Sequence, residues 1–243
     1  RWIYRPDRVA DDPFGDRNVR AHMHPGHQSQ NHIAPSGPAD TDLSLLSVQA
    51  TDGRPLAVLG NYALHYYGAP LVSGDFCGRF GNQLAELIGA SATEQPFVGI
   101  MSQGTSGDSM WMDYGAPAGK RDLDQYTLEV ARVAHEAYQS IAYHDHVSLG
   151  MAETTLKLRR RVPDAARLEW ARSVVAETGD RLPTSRSEIY AREQIYLHDE
   201  PEVEIKLQAV RIGELGITAI PNEVYGLTGL KLKAQSPLQP TFN

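Results

Sequence analysis

The chain contains several short segments in which apolar residues form a run or alternate with polar ones, a pattern typical of β-strands. The segment 55–62 is almost entirely apolar, which indicates a central strand buried on both faces. Just before it, the Asp52-Gly53 pair predicts a hairpin turn. We predict strands at 43–50, 55–62, 97–101, 147–158, 202–211 and 216–220.

The segment 122–142 places apolar residues three and four positions apart, which predicts an amphipathic helix. Its apolar positions are Val130, Val133, Ala134, Ala137 and Ile141. We also predict a helix at 184–195.

Side chains suited to N-caps mark the beginnings of two further helices. Asp164 precedes a predicted helix at 164–177. Ser73 or Asp75 is expected to cap another helix, which ends near Gly89 because glycine commonly follows the last helical turn.

Residues 1–40 are rich in Pro, Gly, Asp and His and show no sustained periodicity, so we predict a long ordered loop or a flap over an active site. The remaining strands and helices, with a hairpin among them, predict an α/β fold. We expect a mixed β-sheet flanked by helices, within one domain that comprises residues 1–243.

Composition excludes several classes of function. The net charge of −7 argues against a nucleic-acid-binding surface, which needs clustered Lys and Arg. A single cysteine, Cys77, excludes both an intrachain disulfide and a zinc site built from several cysteines. No apolar run approaches the ~20 residues of a transmembrane helix. Nothing in the sequence specifies an oligomeric state.

Polar residues follow three of the predicted apolar strands, at His65, at 102–109 and at Glu223. Ligand sites in open α/β sheets form at the carboxyl ends of strands, so we expect these loops to meet. An imidazole and a carboxylate are suitable ligands for part of a catalytic zinc site. The alternatives are a structural histidine, a solvated glutamate and an ordinary glycine-containing loop.

Four short motifs occur in the order found in the neutral/alkaline (non-lysosomal) ceramidases, and the chain resembles this family between about 42 and 233. The first is similar to the family's Asn-(aromatic)-Ala-x-His segment, and the second to its Ser-x-Asp-x-x-Gly segment. The third resembles its glycine-rich stretch ending in Gly-Asp, and the fourth its Pro-x-Glu…Gly segment. In this chain the motifs are Asn61-Tyr62-Ala63-Leu64-His65, Ser73 to Gly78, Gln103 to Asp108, and Pro221-Asn222-Glu223 with Gly229.

The resemblance implies a zinc-dependent hydrolase that cleaves an amide bond in a small or lipid-like N-acyl substrate, presented at a membrane surface in some cases. It implies Zn²⁺ ligation by His65 and Glu223, and a secreted or periplasmic protein. Asp75 is expected to orient a ligand, and the loop N–H groups to stabilise an oxyanion. The expected catalytic residues are Asp75, Gly104, Gly107, Asp108 and Ser109.

Two departures from the family qualify these expectations. The family's zinc-binding His-x-His-Ser-Gly-Pro segment and its zinc-binding Tyr are both missing, so we expect a catalytic domain truncated at both ends and inactive alone. His22-Met23-His24 is similar to His-x-His only by coincidence on this interpretation. Met110 occupies the position of a family serine, which favours a non-catalytic binding module as the alternative. A zinc esterase or peptidase-like hydrolase on the same zinc site is the second alternative.

Overall fold

The computed structural model describes residues 1–91 and 96–243. Its helices are α1 (Asp75–Leu87), α2 (Leu123–Tyr138), α3 (Ala165–Thr178), α4 (Arg186–Asp199) and α5 (Gly226–Gln235). Its strands in the first half of the chain are β1 (Trp2–Tyr4), β2 (Ala10–Asp11), β3 (Arg17–Val19), β4 (Ala21–His22), β5 (His32–Pro35), β6 (Leu43–Gln49) and β7 (Pro55–Tyr62). The later strands are β8 (Val98–Gln103), β9 (Leu149–Arg159), β10 (Glu202–Ile212), β11 (Leu215–Ala219) and β12 (Thr241–Phe242).

The two larger sheets both mix antiparallel and parallel pairing. In the order β6-β7-β8, the first pair is antiparallel and the second is parallel. In the order β12-β11-β10-β9, only β11 and β12 run parallel. Helices accompany these mixed sheets, which confirms the predicted α/β class.

The hydrophobic core lies between the β6-β7-β8 sheet and the helices α1 and α2. Phe80 and Leu84 of α1, Val58 of β7 and Ala131 of α2 are all fully buried there. Burying one such large side chain contributes about 1.5–3 kcal/mol. Gly81 allows the close approach of α1 to β8, since a Cβ at that position would lie 2.5 Å from the Gly99 carbonyl oxygen.

The N-terminal segment is more regular than its sequence predicts. Residues 1–40 form five short strands, arranged as a β4-β1-β5 sheet and a β2-β3 pair. Short strands thus interrupt the predicted long loop, and the alternative of a flap over an active site stays a prediction. These strands have two to four residues each, too few to show alternation, and depend on mutual pairing.

The predicted helix ends agree only partly with the structure. Asp122 and Asp164 are N-caps, and each side chain accepts a hydrogen bond from a backbone N–H of the first turn. The helix α2 ends at Tyr138, four residues before the predicted end. The pattern gave no indication of α5, whose sequence contains Gly226 and Gly229, residues unfavourable within helices. Among the residues that the structure describes, no helix has the length and apolarity to cross a membrane.

Candidate functional site

The side chains of His65 and Glu223 meet beyond the ends of two strands. His65 follows β7, Glu223 follows β11, and the distance from His65 Nε2 to Glu223 Oε1 is 3.2 Å. The imidazole is mostly buried, with 19% of the side chain exposed, whereas 66% of the Glu223 side chain is exposed. The structure thus brings together the two predicted metal ligands, while their metal-binding role stays a prediction.

Two asparagines connect the sheets from which these residues emerge. Asn61, near the end of β7, is buried and donates a hydrogen bond of 2.7 Å from Nδ2 to the backbone oxygen of Asn243. Asn243, just after β12, donates from its own Nδ2 to the carbonyl oxygen of Thr218 in β11, at 3.2 Å. The ends of β7 and β11 are therefore held side by side, which places His65 and Glu223 within contact.

The glycine-rich loop after β8 supports both halves of the pair. The N–H of Gly104 donates to Tyr62 O at 3.0 Å, and that of Gly107 donates to Val224 O at 2.8 Å. Both N–H groups thus donate to chain carbonyls, and a role for them in stabilising an oxyanion stays a prediction. Gly107 also has a packing role, since a Cβ at that position would lie 2.7 Å from the Glu223 carbonyl oxygen.

Asp108 and Ser109 hold backbone on opposite sides of the pair. Asp108 Oδ1 accepts a hydrogen bond of 2.9 Å from the Gly226 N–H at the beginning of α5. The carbonyl oxygen of Ser109 accepts one of 3.2 Å from the His65 N–H. Both residues position the chain around the pair, and a catalytic role for either stays a prediction.

Asp75 organises the chain that follows His65. Its carboxylate accepts hydrogen bonds from the backbone N–H groups of Tyr67, Gly68 and Ala69 at 2.7 to 2.9 Å, and from that of Phe76. Burial would raise the pKa of this carboxyl, but the backbone hydrogen bonds outweigh burial and lower it.

The N-cap of α1 was predicted incorrectly. It is Gly74, without a side-chain cap, and the hydroxyl of Ser73 accepts a hydrogen bond from the Asp75 N–H instead. Asp75 is the first helical residue, and its carboxylate binds the preceding turn.

A cleft of about 470 Å³ opens at the pair, a size that suits a small-molecule site. The ring of Tyr66 lies beside that of His65, with centroids 4.3 Å apart. The cleft is lined by His65, Tyr66, Gln103, Gly104, Thr105, Ser106, Ile220, Asn222, Glu223, Val224 and Asn243.

A second cavity of about 250 Å³ lies on the other side of the segment that leads to His65. Met110 lines this cavity together with Met112 and Tyr114. The neighbouring Trp111 packs instead against Tyr67, with ring centroids 4.2 Å apart.

The geometry of the pair is compatible with zinc. Two tetrahedral ligands, one nitrogen and one oxygen at ordinary zinc distances, lie about 3.3 Å apart, close to the observed 3.2 Å. In residues 1–91 and 96–243, no three or more His, Cys, Asp or Glu side chains are grouped to hold a metal. The described chain therefore offers two candidate ligands, whereas a catalytic zinc site has three from protein.

The two histidines of the His22-Met23-His24 segment have different surroundings. His22 stacks on Tyr4, with ring centroids 5.8 Å apart. His24 Nδ1 lies 2.6 Å from the hydroxyl of Tyr114. Burial, then the charges of His22 and His65, lower the pKa of His24.

No protein-family model and no curated protein sequence matches the chain. The structure is similar to that of neutral ceramidase from Pseudomonas aeruginosa, with a TM-score of 0.48 and 15% sequence identity. The similarity covers 83% of this chain and 39% of that one, so the chain spans less than half of its neighbour's length. A likeness of this size does not by itself assign a family or an activity.

Proposed function

We propose that this chain carries part of the active site of a zinc-dependent hydrolase that cleaves the amide bond of a ceramide-like or other N-acyl substrate. The observation that carries the proposal is the 3.2 Å contact between His65 and Glu223, which are 158 residues apart in the sequence. They come from loops at strand ends, where α/β proteins form ligand sites, and they line a cleft of suitable size.

In the proposed mechanism His65, through Nε2, and Glu223, through its carboxylate, hold the ion. Zinc in such a site supplies Lewis-acid polarisation of a carbonyl group and an activated nucleophile at neutral pH. Ser109 holds the backbone of His65, and Gly107 holds the chain beside Glu223. We infer at least one further protein ligand beyond this pair.

A non-catalytic binding module is the second candidate, and two observations favour it. Met110 lines a cavity where the family has a serine. The N–H groups of Gly104 and Gly107 donate to chain carbonyls. Such a module would keep the cleft and bind a ligand without cleaving it.

The test is the zinc content of the full-length protein that contains this chain, measured by elemental analysis beside its His65→Ala and Glu223→Ala variants. His144→Ala and Glu177→Ala, at exposed positions outside the cleft, are the matched controls. About one zinc per chain, lost in both site variants and kept in both controls, supports the proposal. No zinc in the wild type, or zinc kept in both site variants, overturns it in favour of the binding module.

Measurements of hydrolytic activity distinguish the amide hydrolase from the remaining alternative, a zinc esterase. Release of fatty acid from an N-acyl amide, abolished by His65→Ala, is expected of the amide hydrolase. Cleavage of the matching ester but not of the amide would identify a zinc esterase instead.

A further inference from the structure

The turn that follows His65 is fixed on both of its backbone faces. The N–H groups of residues 67–69 all donate to the carboxylate of Asp75. On the other face, Arg121 donates from Nη2 to the carbonyl oxygens of Tyr67 and Gly68, at 3.0 and 3.2 Å. The carboxylate thus holds residues 67–69, and the guanidinium holds two of them, Tyr67 and Gly68. Charged partners make these hydrogen bonds stronger than neutral ones.

The guanidinium of Arg121 is itself held by two aromatic rings. It lies over the rings of Tyr67 and Trp111, 5.6 and 5.5 Å from their centroids, a cation–π arrangement. Trp111 Nε1 also donates to the Tyr67 carbonyl oxygen at 2.9 Å. Gly68 has a φ of +99°, and a Cβ there would lie 2.8 Å from Arg121 Nη2. Glycine at this position therefore leaves the space that the guanidinium needs.

Tyr67 ties the turn to the rest of the protein. Its side chain is almost completely buried, and its hydroxyl accepts a hydrogen bond of 2.8 Å from the N–H of Asp122, the N-cap of α2. Only Tyr66 separates this anchored residue from His65. The His65 N–H is bound in turn by Ser109, two residues before Trp111.

We propose that Arg121 is a positioning residue that sets the orientation of the His65 imidazole toward Glu223 by locking the turn at 67–69. This inference rests on the proposed function, in which His65 is a zinc ligand. Arg121 does not act on the substrate: it removes the freedom of the backbone two residues after His65, and ligands fixed in this way bind metal more tightly.

The test compares Arg121→Met, which removes the donors but keeps an unbranched side chain, with Arg121→Lys. Gly68→Ala perturbs the contact between Arg121 and the turn by placing a Cβ where the guanidinium lies. The control is Arg79→Met, because Arg79 also links two elements, through an ion pair with Asp124 rather than with the carbonyl oxygens of the turn. The measurements are zinc affinity, amide hydrogen exchange of residues 66–69, the ¹⁵N shifts of the His65 ring, and Tm.

We expect zinc affinity to fall at least tenfold in Arg121→Met and Gly68→Ala, with faster exchange at the turn and shifted His65 ring resonances. Arg121→Lys should recover part of the affinity, and Arg79→Met should keep it with a Tm loss similar to that of Arg121→Met. Wild-type affinity in Arg121→Met, or an equal loss in Arg79→Met, overturns the inference. If the wild type binds no zinc, the proposed function fails separately, and unshifted His65 resonances in Arg121→Met would then overturn the positioning role.

Discussion

His65 Nε2 lies 3.2 Å from Glu223 Oε1, and one loop supports the backbone on both sides of this contact. Through Ser109 the loop binds the His65 N–H, and through Gly107 it binds Val224, next to Glu223. The loop after β8 therefore sets the separation of the two side chains. Substitutions in this loop should therefore alter the distance between His65 and Glu223 although neither residue is replaced.

Gly107→Ala is the most direct change of this kind. The new Cβ would lie 2.7 Å from the Glu223 carbonyl oxygen, so the Glu223 segment must move. We expect a loss of about 1–3 kcal/mol in the free energy of unfolding, as for other overpacked sites, and weaker zinc binding. Urea unfolding measures the first effect. Gly119→Ala, where a Cβ meets nothing within 4 Å, is the control, and equal stabilities of the two variants would contradict the prediction.

The ion pair between Lys233 and Asp40 should stabilise the position of α5. Lys233 Nζ lies 2.7 Å from the carboxylate of Asp40, of which only 5% is exposed. Lys233→Ala leaves this buried charge without its partner and should cost about 3 kcal/mol, because breaking one side of a buried pair is strongly unfavourable.

The control for that prediction is Asp42, which also contacts Lys233 but is 68% exposed. Asp42→Asn should cost less than about 1 kcal/mol, as exposed pairs do. Chemical denaturation of Lys233→Ala and Asp42→Asn measures the two losses in the free energy of unfolding. Similar losses in the two would show that burial of Asp40 does not determine the strength of the interaction.

Asp75→Asn should destabilise the protein in a pH-dependent way. Burial opposes the charge of Asp75, but four backbone hydrogen bonds dominate and lower its pKa from the usual 3.8. A pKa lowered by folding adds stability above the unfolded-state value, and this stability is lost as the pH falls through the folded-state value. We expect Asp75→Asn to lose about 2 kcal/mol at pH 7, since hydrogen bonds to a charged group are removed.

The difference in stability between Asp75→Asn and the wild type should become smaller below pH 3.8. Thermal unfolding across the acidic range measures it. Asp180→Asn, at an exposed turn position, should show no such convergence. A difference in stability between wild type and Asp75→Asn that is the same at every pH would contradict the prediction that the ionised Asp75 carboxylate stabilises the folded protein.

His32 should make stability depend on pH in the range just below 6.5. Burial, then the charge of His22, lower the pKa of His32 from 6.5, and its Nε2 is buried without a hydrogen-bond partner in the described part of the chain. Below pH 6.5 the unfolded chain takes up a proton that folded His32 does not. The free energy of unfolding therefore decreases as the pH is lowered from 6.5 to the folded-state pKa, by up to about 1.4 kcal/mol per pH unit.

His32→Phe should remove this contribution to the slope, whatever its effect on absolute stability. His144→Gln, a change at an exposed histidine, should keep the wild-type slope. Unfolding free energies measured at several pH values between 5 and 7 compare the variants. An unchanged slope in His32→Phe would show that another group is responsible.

The sequence by itself determined the features that depend on neighbouring residues. The apolar run of β7 and the spacing of α2 are local patterns, and the structure confirms both elements. Asp164 as an N-cap is equally local, since the cap binds an N–H three residues ahead. The positions of His65 and Glu223 directly after apolar strands were also visible in the sequence, although their contact was only an expectation.

Only the tertiary structure decided the features that depend on distant partners. The short strands of residues 1–40 form by pairing with one another, and no pattern of two to four residues reveals that pairing. The N–H groups of Gly104 and Gly107 lie in a loop of the expected kind, yet chain carbonyls occupy both. Arg121 carried no local signal, because its contacts with the turn lie 53 and 54 residues away. Hydrogen bonds of this range require both chain segments to be in place, so the fold alone gives these residues their roles.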